Sequence, residues 1–490
     1  MLKKSIKDIV LALLVFVAFV LVYQIWFNSY FLPNGSDYVL KSLRSNIITP
    51  IVRLLEGRSN ADISQNLQEL FKPEKIVLHV SGDRRVYSNG GEGFSQVRAM
   101  AGEIISRCML GDYTVKSKET VDTESFYNVL KGKSIYVDYG KDCDYRLFSF
   151  GVCGQEKNRF TEDLSVIRGY IIGLHDGIMN DFSLYIMDQK SGNIYRYMLE
   201  GDKEQIEATM NEFMLEPTNS GIPSYSFELN FHKEQEQMET KVVFEPLLLM
   251  DLVPKTLPHI NSMDQSELER LLQDDLIDNV LEAFSIDGST TRKYIDLDNE
   301  RVFVENDATL TIYPNGLLEY QTVQGGRGLN ITGGANQGVY DIYAATTHAV
   351  DFVARLCNYM PPDYFEHLQL NTDLTEDAQQ NGVYRICFDY CIDGTPLQHK
   401  TQDGYSHTIE MEIENGYLKS YKQYVKDYEK TEGVWQQEPM LKAADALVDA
   451  HYTDKALYIE KIGVCYVENR DGTVAPVWAA VVDGYDRMIE

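Results

Sequence analysis

The sequence predicts an α+β protein: a single N-terminal transmembrane helix followed by extracytoplasmic domains, with two tandem antiparallel-sheet-plus-helix units at the C-terminal end. Three observations carry this expectation. Ile9–Phe27 is an uncharged apolar run, residues 61–299 alternate between helical and strand periodicities, and a hairpin–helix–strand pattern recurs after residue 300.

The run Ile9–Phe27 reads IVLALLVFVAFVLVYQIWF, with Gln24 its one side-chain amide. A helix needs roughly 20 mostly apolar residues to cross the hydrocarbon core. A helix apolar all round has no face to show to water. Lys3, Lys4 and Lys7 precede it, which favours a cytoplasmic tail at 1–8 and an extracytoplasmic bulk. Tyr23, Trp26, Phe27, Tyr30 and Phe31 cluster where the outer headgroups lie. The rival reading is a cleaved signal peptide, but the run ends in bulky residues with no Ala-x-Ala pattern. The span holds two small residues, Ala12 and Ala18, so a partner helix would meet Ala12, Phe16, Ala18 and Trp26 in packing contacts.

After the span, Asn34-Gly35-Ser36 breaks the helix and 28–60 reads as a juxtamembrane segment. An N-terminal α/β module is expected over 61–160. Its helices are Asp62–Phe71, Phe94–Cys108 and Ser125–Leu130; its strands are Lys75–Val80, Thr114–Lys118 and Ser134–Tyr139. A central α+β module is expected over 161–299. It has strands at Leu164–Gly173, Phe182–Met187, Ile194–Leu199, Tyr225–Phe231 and Lys241–Phe244, and a helix at Lys203–Phe213. Asp264–Phe284 reads as one helix with a capping box at Asp264 and Glu267.

The repeat units are expected at 300–395 and 396–490. The first has LTIYPNGLLEY at Leu310–Tyr320, a helix at Tyr340–Cys357 and the strand VYRICFDYCIDG. The second has IEMEIENGYLKSY at Ile409–Tyr421, a helix at Pro439–Tyr452 and the strand VAPVWAAVVDG. Asn-Gly between alternating strands is a strong hairpin signal, because both turn positions need positive φ. With Asn415-Gly416 as a two-residue loop, Glu414 faces Tyr417, Glu412 faces Lys419 and Glu410 faces Tyr421. Ile413 then meets Leu418 and Met411 meets Ser420 on the apolar face.

The formal net charge of −29 repels phosphate backbones and anionic headgroups, which argues against nucleic acid as a partner. Seven cysteines show no CxxC, and they read as mostly reduced and buried; Cys143–Cys153 is the best disulfide candidate. Cys387 and Cys391 are about 13 Å apart along a strand, too far for a bond.

No catalytic constellation survives inspection: there is no HExxH, GxSxG or Walker motif. The nine histidines never fall at HxH or HxxH spacing, and no catalytic residue, metal site or cofactor is expected. His175-Asp176 with Asp181 is the densest local polar group and reads as a loop. The glycine-rich Gly325–Gly334 lacks the Lys-Ser/Thr of a phosphate-binding loop and reads as a flexible connection; within it, Asn330-Ile331-Thr332 matches a glycosylation sequon. Glu410, Glu412 and Glu414 share one strand face, read as solvated and partly paired with Lys419.

The layout resembles the YycH/YycI family. The resemblance lies in the short basic N-terminus and span, in LTIYPNGLLEY, and in a last unit joining ENGYLKSY and a helix to IGVCYVEN and VAPVWAAVVDG. Pro476-x-Trp478 is similar to the family's proline–tryptophan closing strand. The resemblance implies a non-enzymatic accessory regulator of the cell-wall sensor kinase WalK. Its partners would be that membrane histidine kinase and a paralogous accessory protein, with the chain in the cell membrane through one helix. Two other readings stand beside it. One is an extracytoplasmic binding module for a peptide or cell-envelope polymer, with Tyr417 and Tyr421 on an accepting face. The other is an envelope hydrolase whose site is assembled from distant residues.

Overall fold

Residues 75–200 build the first of two large sheets. The computed structural model describes residues 60–489 apart from 81, 176–179, 216–222, 232–241, 251–255, 289–290, 297–298, 306, 333–339, 377–378, 381 and 452–455. The span Ile9–Phe27, with Ala12, Phe16, Ala18 and Trp26, therefore lies outside the described residues. Among those described, no helix is long and apolar enough to cross a membrane.

The first sheet takes Lys75–Val80 (β1), Asp83–Ser88 (β2), Thr114–Val121 (β3), Ser134–Asp144 (β4), Val166–Gly173 (β5), Asp181–Met187 (β6) and Ile194–Glu200 (β7). Its order is β2-β1-β4-β5-β6-β7-β3, antiparallel throughout. The ladder β4–β5 runs across the boundary expected at 160/161, so both expected modules contribute to one sheet. Helices Asn60–Leu70 (α1), Phe94–Leu110 (α2) and Tyr145–Cys153 (α4) pack in the core on one face. Thr123–Leu130 (α3) packs with Tyr225 and Phe227 in a second cluster. In α2 the buried residues Phe94, Val97, Ala101, Ile104, Ile105 and Cys108 recur at three- and four-residue steps. Each large side chain so buried contributes about 1.5–3 kcal/mol. Helix α4 carries no sequence expectation; Asp144 caps it by accepting the Arg146 N–H at 2.9 Å.

Lys203–Met214 (α5) leads to short strands at Ser224–Tyr225 (β8), Val242–Phe244 (β9) and Leu249–Met250 (β10). The strand expected at Tyr225–Phe231 stops after Tyr225, and the chain turns there so that Phe227 stacks on Tyr225. Next come Thr256–Ser262 (β11) and the helices Gln265–Leu271 (α6) and Asp274–Ala283 (α7). The single helix expected over Asp264–Phe284 is thus broken at Leu272-Gln273. Arg301 donates to the freed Leu272 carbonyl at 3.1 Å, and the acidic Asp275 in the first turn of α7 favours a new N-terminus. Asp264 does cap α6, accepting the Glu267 N–H at 2.8 Å.

The second sheet begins with Arg292–Ile295 (β12), Arg301–Glu305 (β13), Ala308–Ile312 (β14), Leu317–Thr322 (β15) and Leu329–Asn330 (β16). After Ile342–Cys357 (α8) follow Leu368–Leu370 (β17), Gln379–Gln380 (β18), Val383–Ile392 (β19), Thr395–Lys400 (β20) and Tyr405–Ser406 (β21). Ile409–Glu414 (β22), Tyr417–Tyr424 (β23) and Tyr428–Gln436 (β24) precede Met440–His451 (α9). Leu457–Glu468 (β25), Val474–Val482 (β26) and Tyr485–Ile489 (β27) close the chain.

The elements of the two repeat units occur where expected, but they do not form two tandem sheets. The hairpins join edge to edge: β15 pairs antiparallel with β23, with Tyr320 opposite Tyr421, giving the order β12-β13-β14-β15-β23-β22-β19-β20-β25-β26-β27. A lone hairpin leaves a row of unpaired backbone groups, and two with matching apolar phase satisfy each other. Tyr320 and Tyr421 then meet Phe284 and Phe352 with ring centroids 5.1–5.5 Å apart, which ties the end of α7 and α8 to the seam.

Asn415-Gly416 adopts the expected turn, with φ of 48° and 83°. Glu414 faces Tyr417 and Ile413 faces Leu418 as expected. Beyond them a bulge at Lys419 shifts the ladder, so Met411 faces Tyr421 and Glu410 faces Lys422. One inserted residue sends Tyr421 to the buried face, where it is 0% exposed. It therefore offers nothing to an incoming strand.

The two sheets are stitched together at one edge. Asn89-Gly90 at the end of β2 meets the Asp393-Gly394 turn between β19 and β20 backbone to backbone. Asn89 Nδ2 donates to Gln369 Oε1 at 2.9 Å, and Lys461 pairs with Glu74. Leu374 exchanges backbone bonds with Asp142 and Asp144, and Arg146 reaches Asp341, the N-cap of α8, at 2.7 Å. The strands β11 and β24 form a separate two-stranded ribbon that exposes Val434 and Trp435, Trp435 stacking on His259.

Candidate functional site

The alternation VYRICFDYCI places Asp389 inside β19, where residues 386–392 are all buried. A carboxylate that is 1% exposed demands partners. Asn371 Nδ2 donates to one oxygen, and His407 Nδ1, from the bend between β21 and β22, lies 2.7 Å from the other. Burial alone lowers the affinity of His407 for a proton, but the Asp389 charge and hydrogen bond outweigh it, so its pKa is raised. Glu410 steadies the bend by accepting from the His407 N–H at 3.1 Å and Ser406 Oγ at 2.9 Å. Arg385 pairs with it at 2.7 Å.

A second pair lies beside the first, because His399 on β20 is opposite Ser406 on β21. His399 Nδ1 is 2.9 Å from Glu468 Oε2, and its ring stacks on Tyr424 at 3.7 Å. Glu468 also accepts from Lys426 Nζ at 2.7 Å, Tyr428 OH at 2.9 Å and Ser262 Oγ at 2.9 Å. Burial would raise the Glu468 pKa; the hydrogen bond from His399 and the Lys426 charge prevail and hold it down to about 2. Burial lowers the pKa of His399, and its Nε2 is buried without a partner.

The two histidines respond to acid in opposite senses. His407, with its raised pKa, adds stability that is fully present below the unfolded pKa of about 6.5 and is lost as pH rises through the folded value. His399, with a lowered pKa, adds stability above about 6.5 that is lost as pH falls towards its folded value. His407→Gln is therefore expected to remove a downward slope that sets in as pH rises past the unfolded histidine value of about 6.5. Urea midpoints between pH 5.5 and 9 check this; an unchanged slope would contradict the pairing.

Among the described residues, no hydroxyl or thiol hydrogen-bonds the Nε2 of His399 or His407; each ring is held through Nδ1 by its carboxylate. Burial pushes the thiols of Cys387 and Cys391 up to about 12, which keeps them protonated. All seven cysteines are unbonded, including Cys143 and Cys153. Among the described residues, no group of three or more His, Cys, Asp or Glu side chains is placed to hold a metal ion. A cavity of about 40 Å³ beneath α1, α2 and α4 is far smaller than the ~300 Å³ of an ordinary ligand pocket.

The residues singled out in sequence stay apart. His175 bonds Ser183 Oγ at 3.0 Å, while Asp181 pairs with Lys116 at 2.8 Å; Asp176 lies outside the described residues. Part of the glycine-rich stretch is ordered as β16, whose Leu329 faces Leu418, and Asn330 Oδ1 accepts from the Thr332 N–H and hydroxyl. Glu414 does pair with Lys419, at 3.0 Å. Asp389, His399, His407 and Glu468 are joined by no sequence spacing; only the fold brings them together. The one available signal was Asp389, a charge in an apolar strand.

The class that this geometry defines is an α+β protein with two stitched antiparallel sheets and a buried histidine–carboxylate centre. No protein-family model and no curated protein matches the chain. Among solved structures, YycH from Bacillus subtilis superposes with a TM-score of 0.54 at 14% identity, covering 86% of this chain and 97% of that one. The chain thus has a YycH-like fold. The C-terminal domain of Bacillus megaterium YpeB covers 47% of this chain and 93% of its own at 10% identity; its TM-score of 0.23 carries no argument.

Proposed function

We propose that the chain is a membrane-anchored, extracytoplasmic, non-enzymatic regulator of a two-component sensor histidine kinase that controls cell-wall metabolism. The observation that carries this reading is the YycH-like fold over 86% of the chain. The apolar run Ile9–Phe27 behind three lysines supports a single-pass anchor with the sheets outside the cytoplasm. Its partners are then a membrane kinase and a paralogous accessory protein, met through Ala12, Phe16, Ala18 and Trp26 as well as through the sheets. Such a regulator works only by binding one signalling state of the kinase better than the other. A tenfold preference, about 1.4 kcal/mol, shifts the two-state ratio tenfold. The test is to replace Ile9–Phe27 by an unrelated hydrophobic helix, delete the chain in parallel, and measure kinase output and copurification. Changed output on deletion with recovery of the kinase is expected. Unchanged output on deletion would end the reading, and unchanged output on replacement alone would reduce the span to an anchor.

A further inference from the structure

β12 ends the second sheet, and it differs from the outer strands of the first. The β2 residue Arg85 donates to the Phe213 and Met214 carbonyls at the end of α5. β3 carries Lys116, Lys118 and Glu119, paired with Asp181, Asp163 and Arg196. Such charges guard an edge against further pairing. All four residues of β12 are exposed, Tyr294 by 49% and Ile295 by 67%. Among the described residues, neither Arg292 nor Lys293 has an ionic partner.

The backbone fixes which groups face outward. In the β12–β13 ladder Arg292 faces Val304 and Tyr294 faces Val302, and the Asp296 N–H donates to the Glu300 carbonyl at 3.1 Å. Donors and acceptors alternate along a strand. Arg292, Tyr294 and Asp296 therefore turn their backbone groups towards β13, while Lys293 and Ile295 turn theirs outward. The strand is also polar in charge, basic at its start and acidic just after its end. In an antiparallel copy of itself the basic end meets the acidic end; in a parallel copy like charges would meet.

We propose that β12 pairs with β12 of a second copy of this chain, antiparallel about a two-fold axis at Tyr294. In that register Lys293 of each copy exchanges backbone bonds with Ile295 of the other, about four in all. Arg292 of each copy lies across from Asp296 of the other, and the two Tyr294 rings meet at the axis. The interface is isologous and closes as a dimer. It joins two second sheets into one, and it stands independently of the kinase reading.

The register is specific enough to test by disulfide trapping in the full chain. Across a non-hydrogen-bonded pair the Cα atoms are about 4.5 Å apart, within bonding range. Tyr294→Cys is therefore expected to form a covalent dimer under mild oxidation, on the order of tenfold more than Lys293→Cys. The Lys293 positions sit about 8 Å apart diagonally, beyond disulfide reach. Six of the native cysteines are buried, so their background is small. Adding Arg292→Asp to the Tyr294→Cys variant should cut trapping roughly tenfold, and adding Asp296→Arg as well should restore it. Equal trapping by the Tyr294→Cys and Lys293→Cys variants, no trapping, failure of the charge swap to restore it, or capture of a different protein by the Tyr294→Cys variant would each overturn the proposal.

Discussion

Gly394→Ala is expected to cost about 2–5 kcal/mol of stability, while the same change at Gly484 costs about 1 kcal/mol. Both glycines follow an aspartate in a tight turn, with Asp393 and Asp483 at φ of 48° and 50°. Gly394 has φ +72° and Gly484 φ +79°, so an alanine pays the same left-handed strain at each. The difference lies in what a Cβ would meet. At Gly394 it would sit 1.7 Å from the Asn89 carbonyl oxygen, which is backbone and cannot swing away; at Gly484 nothing lies within 4 Å. The turn carrying Asn89-Gly90 would have to lift off. Urea midpoints of the two variants side by side are the check, and equal losses would mean that the turns do not touch.

Glu468→Gln is expected to lose about 3–5 kcal/mol at neutral pH, because Lys426 is left as a nearly buried charge without its counter-ion. The same variant should flatten the acid limb of the stability curve. The Glu468 pKa falls from 4.5 to about 2 on folding, so its contribution is present above the unfolded value and disappears as pH falls through about 2. Thermal melts from pH 7 to pH 2 report both effects. A variant that melts with the wild type at pH 7 would show that the four donors find other partners.

Local structure was largely legible in the sequence, whereas neighbour relations were not. The stripe Leu268, Leu271, Leu272, Ile277, Val280, Leu281 and Phe284 marks one side of 264–284 as the buried one; six of the seven are buried and Leu271 is half-buried. Nothing in that stripe announced the break at Leu272, because the group that takes up its carbonyl comes from Arg301, 29 residues on. Period-two alternation likewise assigns faces but not partners, so Tyr320 and Tyr421 were each placed on a strand without any sign that they oppose one another. The bulge at Lys419 was hidden for a related reason. Lys419 and Ser420 are both at home on a solvated face, and only the burial of Tyr421 decides between the registers. Asp389 is a charge inside an apolar strand, but its partners His407 and Asn371 are each 18 residues away, and His399 and Glu468 are 69 apart.

The strand order also sets a timetable for the growing chain. The first sheet is complete once residue 200 has emerged, since every one of its strands lies before that point. The second sheet must wait: β9 at Val242–Phe244 lies parallel to Leu457–Ile459, and β20 pairs with Tyr466–Glu468. During synthesis at ~5–20 residues per second, β9 is left without its neighbour for on the order of ten seconds or more. A chain stopped before residue 457 would carry a finished first sheet and a second one with no strand to close it.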